Sequence, residues 1–382
     1  MSFGLTEAQE MFRRTVRDFA QRELGPGVKE RDRLGHLPKG VLKRMAAMGL
    51  LGLNAPEQYG GQTVEWVTVG IANEEVGAVD INLSLPMTLL SALWTAFDLA
   101  PQEAQEEWIP RVVRGEALFC LASTEPSVGS DVANLSCRAF PEGDYYILNG
   151  EKTSVSLGMQ ADLGIVFANT DVAKGARGVT AFLVPLDLKG VSRSRIPDMG
   201  CKAIGRGSIF LDNVHVPASY RLGDEGRGFY LVMGQFDVLR PLVGLMCLGS
   251  AQASLNEAVN YAKQRMAFGK PIARFEGVSF KIAEAATMID AARYLCYHTL
   301  AKKDRGERHN RESAMCKWLG PAIAVEVIHN CLLIHGQIGY SEDCSLEQRL
   351  RDVIGLEIGD GTAEIMKIIV AREMMGREYL PY

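Results

Sequence analysis

The sequence predicts an α+β chain in three segments: helices, then β-strands, then helices. Three observations support this. Apolar residues such as Phe12, Val16 and Phe19 recur at helical spacing in the first third. Between Leu118 and Val216, short β-rich runs are separated by turn residues, the pattern of an antiparallel barrel or sandwich. From Gly226 the helical period returns almost to the end. The segments are bounded as 1–116, 117–222 and 223–382, each long enough to bury a core.

The first helix opens on Thr6-Glu7-Ala8-Gln9, a capping-box pattern, and Pro26 is expected to end it. Further helical patterns cover roughly 38–50, 64–79 and 102–114, with Ala55-Pro56-Glu57-Gln58-Tyr59-Gly60-Gly61 a loop between the first two. In the middle segment, Asn149-Gly150 is a strong hairpin-turn signal. Residues 165–168, 180–185 and 208–211 read as strands. In the last segment, Ile282, Ala285, Ile289, Ala292 and Cys296 keep the 3-4 spacing of a bundle seam. Asp304 to Asn310 is a polar loop, and Pro321 should bend or restart the helix after it.

Hydrophobic content of 47% and charged content of 23% suit a soluble globular protein. A net charge of -5 makes nucleic acid and acidic membrane surfaces poor partners. The eight cysteines are scattered without a Cys-x-x-Cys pair, so neither a zinc site nor a disulfide framework is expected, and a reducing, cytoplasmic compartment fits. The N-terminus runs straight into an amphipathic helix of mixed charge, so no signal peptide is expected. Apolar stretches such as Leu83 to Trp94 are too short and interrupted to span a bilayer, so no membrane insertion is expected.

The chain is organised around Gly359-Asp360-Gly361-Thr362-Ala363-Glu364, near its end. Thr362 is placed to cap a following helix, and the glycines allow tight turns and close approach to a ligand. Asp360 then projects from a tight loop just ahead of a helix. Alone, this pattern fits a capped turn with a solvated carboxylate as well as it fits a base.

Several motifs, in order, favour the base. They are Thr124-Glu125-Pro126-Ser127-Val128-Gly129-Ser130-Asp131, Asn149-Gly150-Glu151-Lys152, Gly226-Arg227-Gly228-Phe229, Phe236-Asp237 with Arg240-Pro241, Arg265 with Phe268-Gly269-Lys270, and Arg351-Asp352 before Asp360. Over essentially the whole chain this resembles the acyl-CoA dehydrogenase family. The resemblance implies that family's fold: an N-terminal helical domain, a middle β-barrel or sandwich, and a C-terminal four-helix bundle. It also implies bound FAD, an acyl-CoA substrate, electron-transfer flavoprotein as electron acceptor, and a homotetramer built as a dimer of dimers.

Desaturation beside a thioester needs a base for the α-proton and a hydride acceptor, and no protein side chain accepts a hydride. By resemblance, Asp360 stands where the family usually has a glutamate base, and flavin N5 takes the hydride. Burial must raise the Asp360 pKa, against the dipole of the following helix, worth about 0.3–1 kcal/mol. Aspartate is one methylene shorter than glutamate, so its carboxylate stops roughly 1.5 Å nearer the backbone. With aspartate here the chain resembles family members acting on alicyclic thioesters such as cyclohexane- or cyclohex-1-ene-carboxyl-CoA, whose ring carbon would fill that space. Short- or branched-chain dehydrogenation, enoyl-CoA reduction or acyl-CoA oxidation on the same site, and a catalytically silent flavin-binding scaffold are the alternatives. Leu239, where some relatives carry their base, cannot serve.

The resemblance assigns Leu121, Ser123, Thr124 and Ser130 to the flavin ring, Ser130 also to CoA, and Ser154, Val155 and Ser156 to the N5 side. Many relatives have Trp in place of Ser154. Arg265 and Phe268 would reach the pyrophosphate and adenosine of a neighbouring subunit's FAD, a task for which Arg's planar fork is suited. Leu333 and Gln337 occupy places where the family has Gln and Gly, while Thr362 and Glu364 align with FAD contacts. His335 reads as a structural histidine. Asp237, Arg240 and Gly361 align with acyl-CoA contacts, with an internal helix ion pair as the other reading of the first two. Phe236 is acyl-pocket wall or core.

Overall fold

The computed structural model describes residues 4–379. The first segment forms α1 (Glu7–Phe19), α2 (Val28–Leu34), α3 (Lys39–Ala47), α4 (Trp66–Gly77), α5 (Ile81–Phe97) and α6 (Gln102–Val113). The capping box is formed in both directions, Gln9 N–H donating to Thr6 Oγ1 and Thr6 N–H to the Gln9 side chain. Pro26 does not end the helical run. It sits in a 3-10 turn, Gly25–Gly27, through which the chain passes from a π-helical turn directly into α2. Its missing N–H costs nothing in a helix's first turn, where that donor has no partner anyway.

The middle segment forms β1 (Phe119–Ala122), β2 (Arg138–Glu142), β3 (Tyr145–Val155), β4 (Leu163–Asn169), β5 (Val179–Pro185), β6 (Val191–Arg195), β7 (Gly207–Pro217) and β8 (Arg221–Leu222). These make one sheet in the order β6-β7-β3-β2-β4-β5-β8, with β1 parallel to β4. The hairpin expected at Asn149-Gly150 is absent: β3 runs straight through it, and the β2–β3 turn lies at Gly143, directly after Glu142, the last residue of β2. Asn149-Gly150 is instead a bulge against β7, where the pairing shifts register between Leu148 and Gly150. Asn149 Oδ1 accepts from the N–H of Asn213, itself left-handed at φ 51°. A Cβ on Gly150 would lie 2.8 Å from Cys137 Cα, so the glycine serves close approach.

The last segment forms α7 (Gly228–Gln264), a small hairpin of β9 (Met266–Ala267) and β10 (Lys270–Pro271), then α8 (Glu276–Asp304), α9 (Asn310–His335), α10 (Ser345–Ile358) and α11 (Ala363–Met375). Ala285, Ile289, Ala292 and Cys296 are buried along α8 as their spacing predicts, while Ile282, the first residue of that seam, is only half-buried. Pro321 neither restarts nor ends α9, which runs on to His335. The helix is unbroken because it is clamped there: a Cβ on Gly320 would lie 2.7 Å from Gly244 Cα of α7. Gly77 and Gly249 give the same close approach between α4 and α7.

Two helices, Gly228–Gln264 and Asn310–Ile338, are long and apolar enough to cross a membrane, contrary to the sequence reading of the apolar stretches. Here α7 is the central helix, touching α4, α5, α8 and α9, and its apolarity serves that burial.

The Arg351-Asp352 motif joins all three segments. Arg351 binds Asp32 and the Met199 carbonyl, and buried Asp352 accepts from Cys201 N–H at 2.6 Å and Asn82 Nδ2 at 3.1 Å. This motif is a structural seam that sets α10, and hence the loop after it, against the rest of the molecule.

Candidate active site

The loop between α10 and α11 presents Asp360. Gly359 N–H closes α10 on the Gly355 carbonyl, and Thr362 Oγ1 accepts from Ile365 N–H to open α11, as its sequence predicts. Between these caps Asp360 takes a left-handed φ of 57°, unusual for a residue with a Cβ. Its neighbour Gly361, at φ 102°, lies against Met366, whose methyl would be 2.5 Å from a Cβ there. Asp360 therefore sits between the negative end of one helix and the positive end of the next, so the dipoles oppose one another. Burial pushes its pKa up, with Lys317 and Arg240 pulling the other way.

α7 supplies the facing wall. Phe236 is buried, and the Arg240 guanidinium lies 5.8 Å from its ring centre. Arg240 Nη1 donates to Asp237 Oδ1 at 3.0 Å, so the two form the internal ion pair that their i,i+3 spacing allows. Asp237 also takes a bond from Asn310, and its carbonyl accepts from Ser313 Oγ at 2.6 Å. Arg240 is not fully engaged: its Nε is buried without a partner. Burial lowers the Arg240 pKa, opposed by Asp237 and Asp360. An unpaired buried donor costs about 1–3 kcal/mol, so this N–H favours an oxygen-bearing ligand. Leu239 is buried beside it and carries no acid–base group.

Lys317 of α9 completes the cluster and has no local signal in the sequence. Its side chain is 0% exposed, and Nζ donates to the carbonyls of Leu356 at 2.7 Å and Gly361 at 3.0 Å.

The other candidates fall into two groups. Leu121 lies in β1, Ser123, Thr124 and Ser130 follow it, Ser154 and Val155 close β3, and Ser156 comes directly after it. The two stretches are joined by Thr153 N–H donating to the Thr124 carbonyl, and by the Lys152–Glu125 pair beneath them. Val155 is buried, so its side chain belongs to the sheet core and only its backbone can face a ligand. Ser154, left-handed at φ 55°, accepts from Arg206 at 3.2 Å. Among the described residues, no hydrogen bond engages the hydroxyls of Ser123, Thr124, Ser130 or Ser156.

Arg265, Phe268, Leu333 and Gln337 form the second group. Phe268 and Leu333 line one hollow of about 280 Å³ with Phe275, Val278 and Lys281. Phe268 is 95% exposed at φ 49°, and Arg265 and Gln337 are exposed with no side-chain partner among the described residues. Glu364 is exposed on the first turn of α11. His335 is structural, its Nδ1–H donating to the Cys331 carbonyl of α9 at 2.8 Å and its ring stacking on Tyr261. A separate cleft of about 1490 Å³, lined by Arg13, Glu74, Glu75, Arg293 and Tyr297 among others, contains none of these candidates. Its charged groups pair with one another.

Three family models match in order: acyl-CoA dehydrogenase N-terminal domain over residues 6–116, middle domain over 120–214 and C-terminal domain over 226–375. The chain belongs to the acyl-CoA dehydrogenase family. It is therefore an oxidoreductase of CH–CH bonds, with that family's three-part fold. It is 38% identical over 376 residues to a 3-(aryl)acrylate reductase of Clostridium sporogenes, covering 97% of this chain and 99% of that one. A caffeyl-CoA reductase–Etf complex subunit of Acetobacterium woodii is 33% identical, covering 96% and 98%. The solved butyryl-CoA dehydrogenase of Megasphaera elsdenii superposes with a TM-score of 0.93 at 32% identity, covering 98% of this chain and all of that one.

Proposed function

We propose that this enzyme removes the α-proton of a ring-bearing acyl-CoA with Asp360, and that cyclohexane- or cyclohex-1-ene-carboxyl-CoA is the favoured substrate type. The chain is an FAD-dependent acyl-CoA dehydrogenase in its family and cofactor class. The observation that supports the finer reading is Asp360 itself: a short carboxylate, raised in pKa by burial, on a left-handed loop opposite Phe236 and Arg240. Its shorter reach leaves room for an α-carbon that is part of a ring.

The donor set fits a flavin. The uncommitted hydroxyls of Ser123, Thr124, Ser130 and Ser156 would hold the ring system, and Thr362 and Glu364 would contact the cofactor from the start of α11. Exposed Arg265 offers a charged fork for a pyrophosphate, with Phe268, Leu333 and Gln337 around an adenosine. When bound, FAD supplies the hydride acceptor. Asp360 receives the α-proton. The Asp360 backbone N–H would meet the thioester oxygen as charge builds there. Asp237 and Arg240 would bind the pantetheine polar groups, with Ser130 near the CoA and Gly361 at the thioester edge. Electron-transfer flavoprotein as electron acceptor, a dimer-of-dimers tetramer that brings the Arg265 group to a neighbour's cofactor, and a cytoplasmic setting complete the reading.

A second reading is favoured by the aryl-acrylate and caffeyl-CoA relatives: reduction of an aryl-substituted enoyl thioester, with Asp360 returning the proton to the α-carbon. Anaerobic mixing of the flavin-loaded enzyme with a panel of thioesters separates them. The first reading expects flavin bleaching by cyclohexanecarboxyl-CoA or cyclohex-1-ene-carboxyl-CoA. Bleaching by straight-chain thioesters alone would overturn it. Reoxidation of the reduced enzyme by arylacrylyl-CoA, with no bleaching by alicyclic thioesters, would select the second.

A further inference from the structure

The base loop is fastened from below by a lysine on another helix. Lys317 Nζ reaches two main-chain carbonyls that local structure leaves open: Leu356 in the last turn of α10, and Gly361 beside Asp360. Carbonyls in a helix's last turn have no intrahelical partner, and a cation at that end is favoured by the dipole. Two of the three N–H groups of the ammonium are thereby used. We propose that Lys317 is a positioning residue for Asp360, holding the left-handed base loop on α10 and supplying the positive charge beside which the carboxylate works. This rests on the assignment of Asp360 as the base.

The charges around the pair come from three elements. Lys317 on α9 and Arg240 on α7 face Asp360, and both favour its ionised form. Lys317 in turn is faced by Asp360, by Cys247 and Arg240 of α7, and by Glu357 of α10. Arg240 is held by Asp237, with Arg372 of α11 also near it. Arg240 is thus divided between two carboxylates, whereas Lys317 bonds only carbonyls among the described residues, and Asp360 is the carboxylate that acts on it most strongly, ahead of Glu357. Burial lowers the Lys317 pKa, and the Asp360 carboxylate opposes that shift.

The experiment uses flavin-loaded enzyme carrying Lys317→Met, Lys317→Gln or Lys317→Arg, with Asp360→Asn as control. An opposite charge within about 4–6 Å lowers a carboxyl pKa by roughly 1–3 units. In Lys317→Met and Lys317→Gln the acidic limb of the rate of flavin bleaching should therefore move up by about one pH unit or more. Lys317→Arg should keep the limb near its original place even if the rate falls. The infrared carboxyl band that Asp360→Asn removes should titrate with the same displacement, without turnover. If Lys317→Met fails to accumulate, Lys317→Gln, which keeps a donor for Gly361, is read the same way. Limbs and bands that coincide with those of the unchanged enzyme, with rates lowered equally at every pH, would overturn the proposal. Turnover by Asp360→Asn would instead remove the underlying assignment of the base.

Discussion

Lys152 Nζ lies 2.7 Å from Glu125 Oε1, and both side chains are wholly buried. The two residues come from the two motifs that carry or adjoin the proposed flavin-facing hydroxyls. Glu125 also accepts from Ser136 N–H, Ser136 Oγ and Cys137 N–H, while Lys152 reaches the Ser123 carbonyl. Burial pushes the Glu125 pKa up, but Lys152 and Ser136 outweigh it and hold the carboxyl below its ordinary value. The pair therefore fixes the Ser123–Thr124 stretch against β3.

Lys152→Met should leave Glu125 buried without its cation. Removing one partner of such a pair costs about 3–5 kcal/mol. The expected outcome is a lower melting temperature and a flavin-to-protein ratio that falls on gel filtration, measured by absorbance. Glu125→Gln, which keeps hydrogen-bonding capacity, should lose less of both.

Asp360→Asn should keep flavin and thioester binding and lose about 10²–10⁴-fold in the rate of flavin bleaching, the usual share of a general base. Stopped-flow bleaching and a binding titration on the same variant check the two halves. Asp360→Glu should shift preference from ring-bearing to straight-chain thioesters, because the added methylene occupies the space a ring carbon would need.

A base acts when deprotonated, and burial has raised the Asp360 pKa. Bleaching should therefore fail on the acid side at a pH above the ordinary aspartate value of about 4. A profile flat down to pH 4 would contradict the carboxylate's burial.

Asp352 makes a separate pH prediction, for stability rather than rate. Burial, with Asp80 and Asp32 adding, pushes its pKa up to about 7. The folded state then binds a proton that the unfolded state releases near pH 4. This contribution is full below that pH and is lost as pH rises through 7, to an upper bound of roughly 4 kcal/mol. Asp352→Asn is always uncharged, and Asn82 Oδ1, which has no partner, can turn to accept from its amide. The melting-temperature difference of Asp352→Asn over the unchanged protein should grow in the variant's favour from pH 5 to pH 8.

Much of the site was legible where its cause is local. The Thr362 cap, the Thr6 capping box and the α8 seam follow from spacing within a few residues. Asn149-Gly150 was misread because the same dipeptide suits a turn or a bulge, and pairing with β7, sixty-odd residues on, decides between them. Pro26, which suggests a helix end, sits instead in a 3-10 turn where its missing N–H is harmless. Pro321, which suggests a bend or restart, lies inside a helix that runs on to His335. Lys317 was invisible because its partners lie 39 and 44 residues further along, on carbonyls that every residue carries.

The close approach of Gly244 and Gly320 has a reach beyond packing. Gly320 lies one turn past Lys317 on α9, and a methyl added there would need α9 to back away from α7. Any such retreat would drag the lysine off the loop it holds. With Lys317 in the positioning role proposed for it, the acidity of Asp360 would depend, at a distance, on a spot where the chain has no side chain to see.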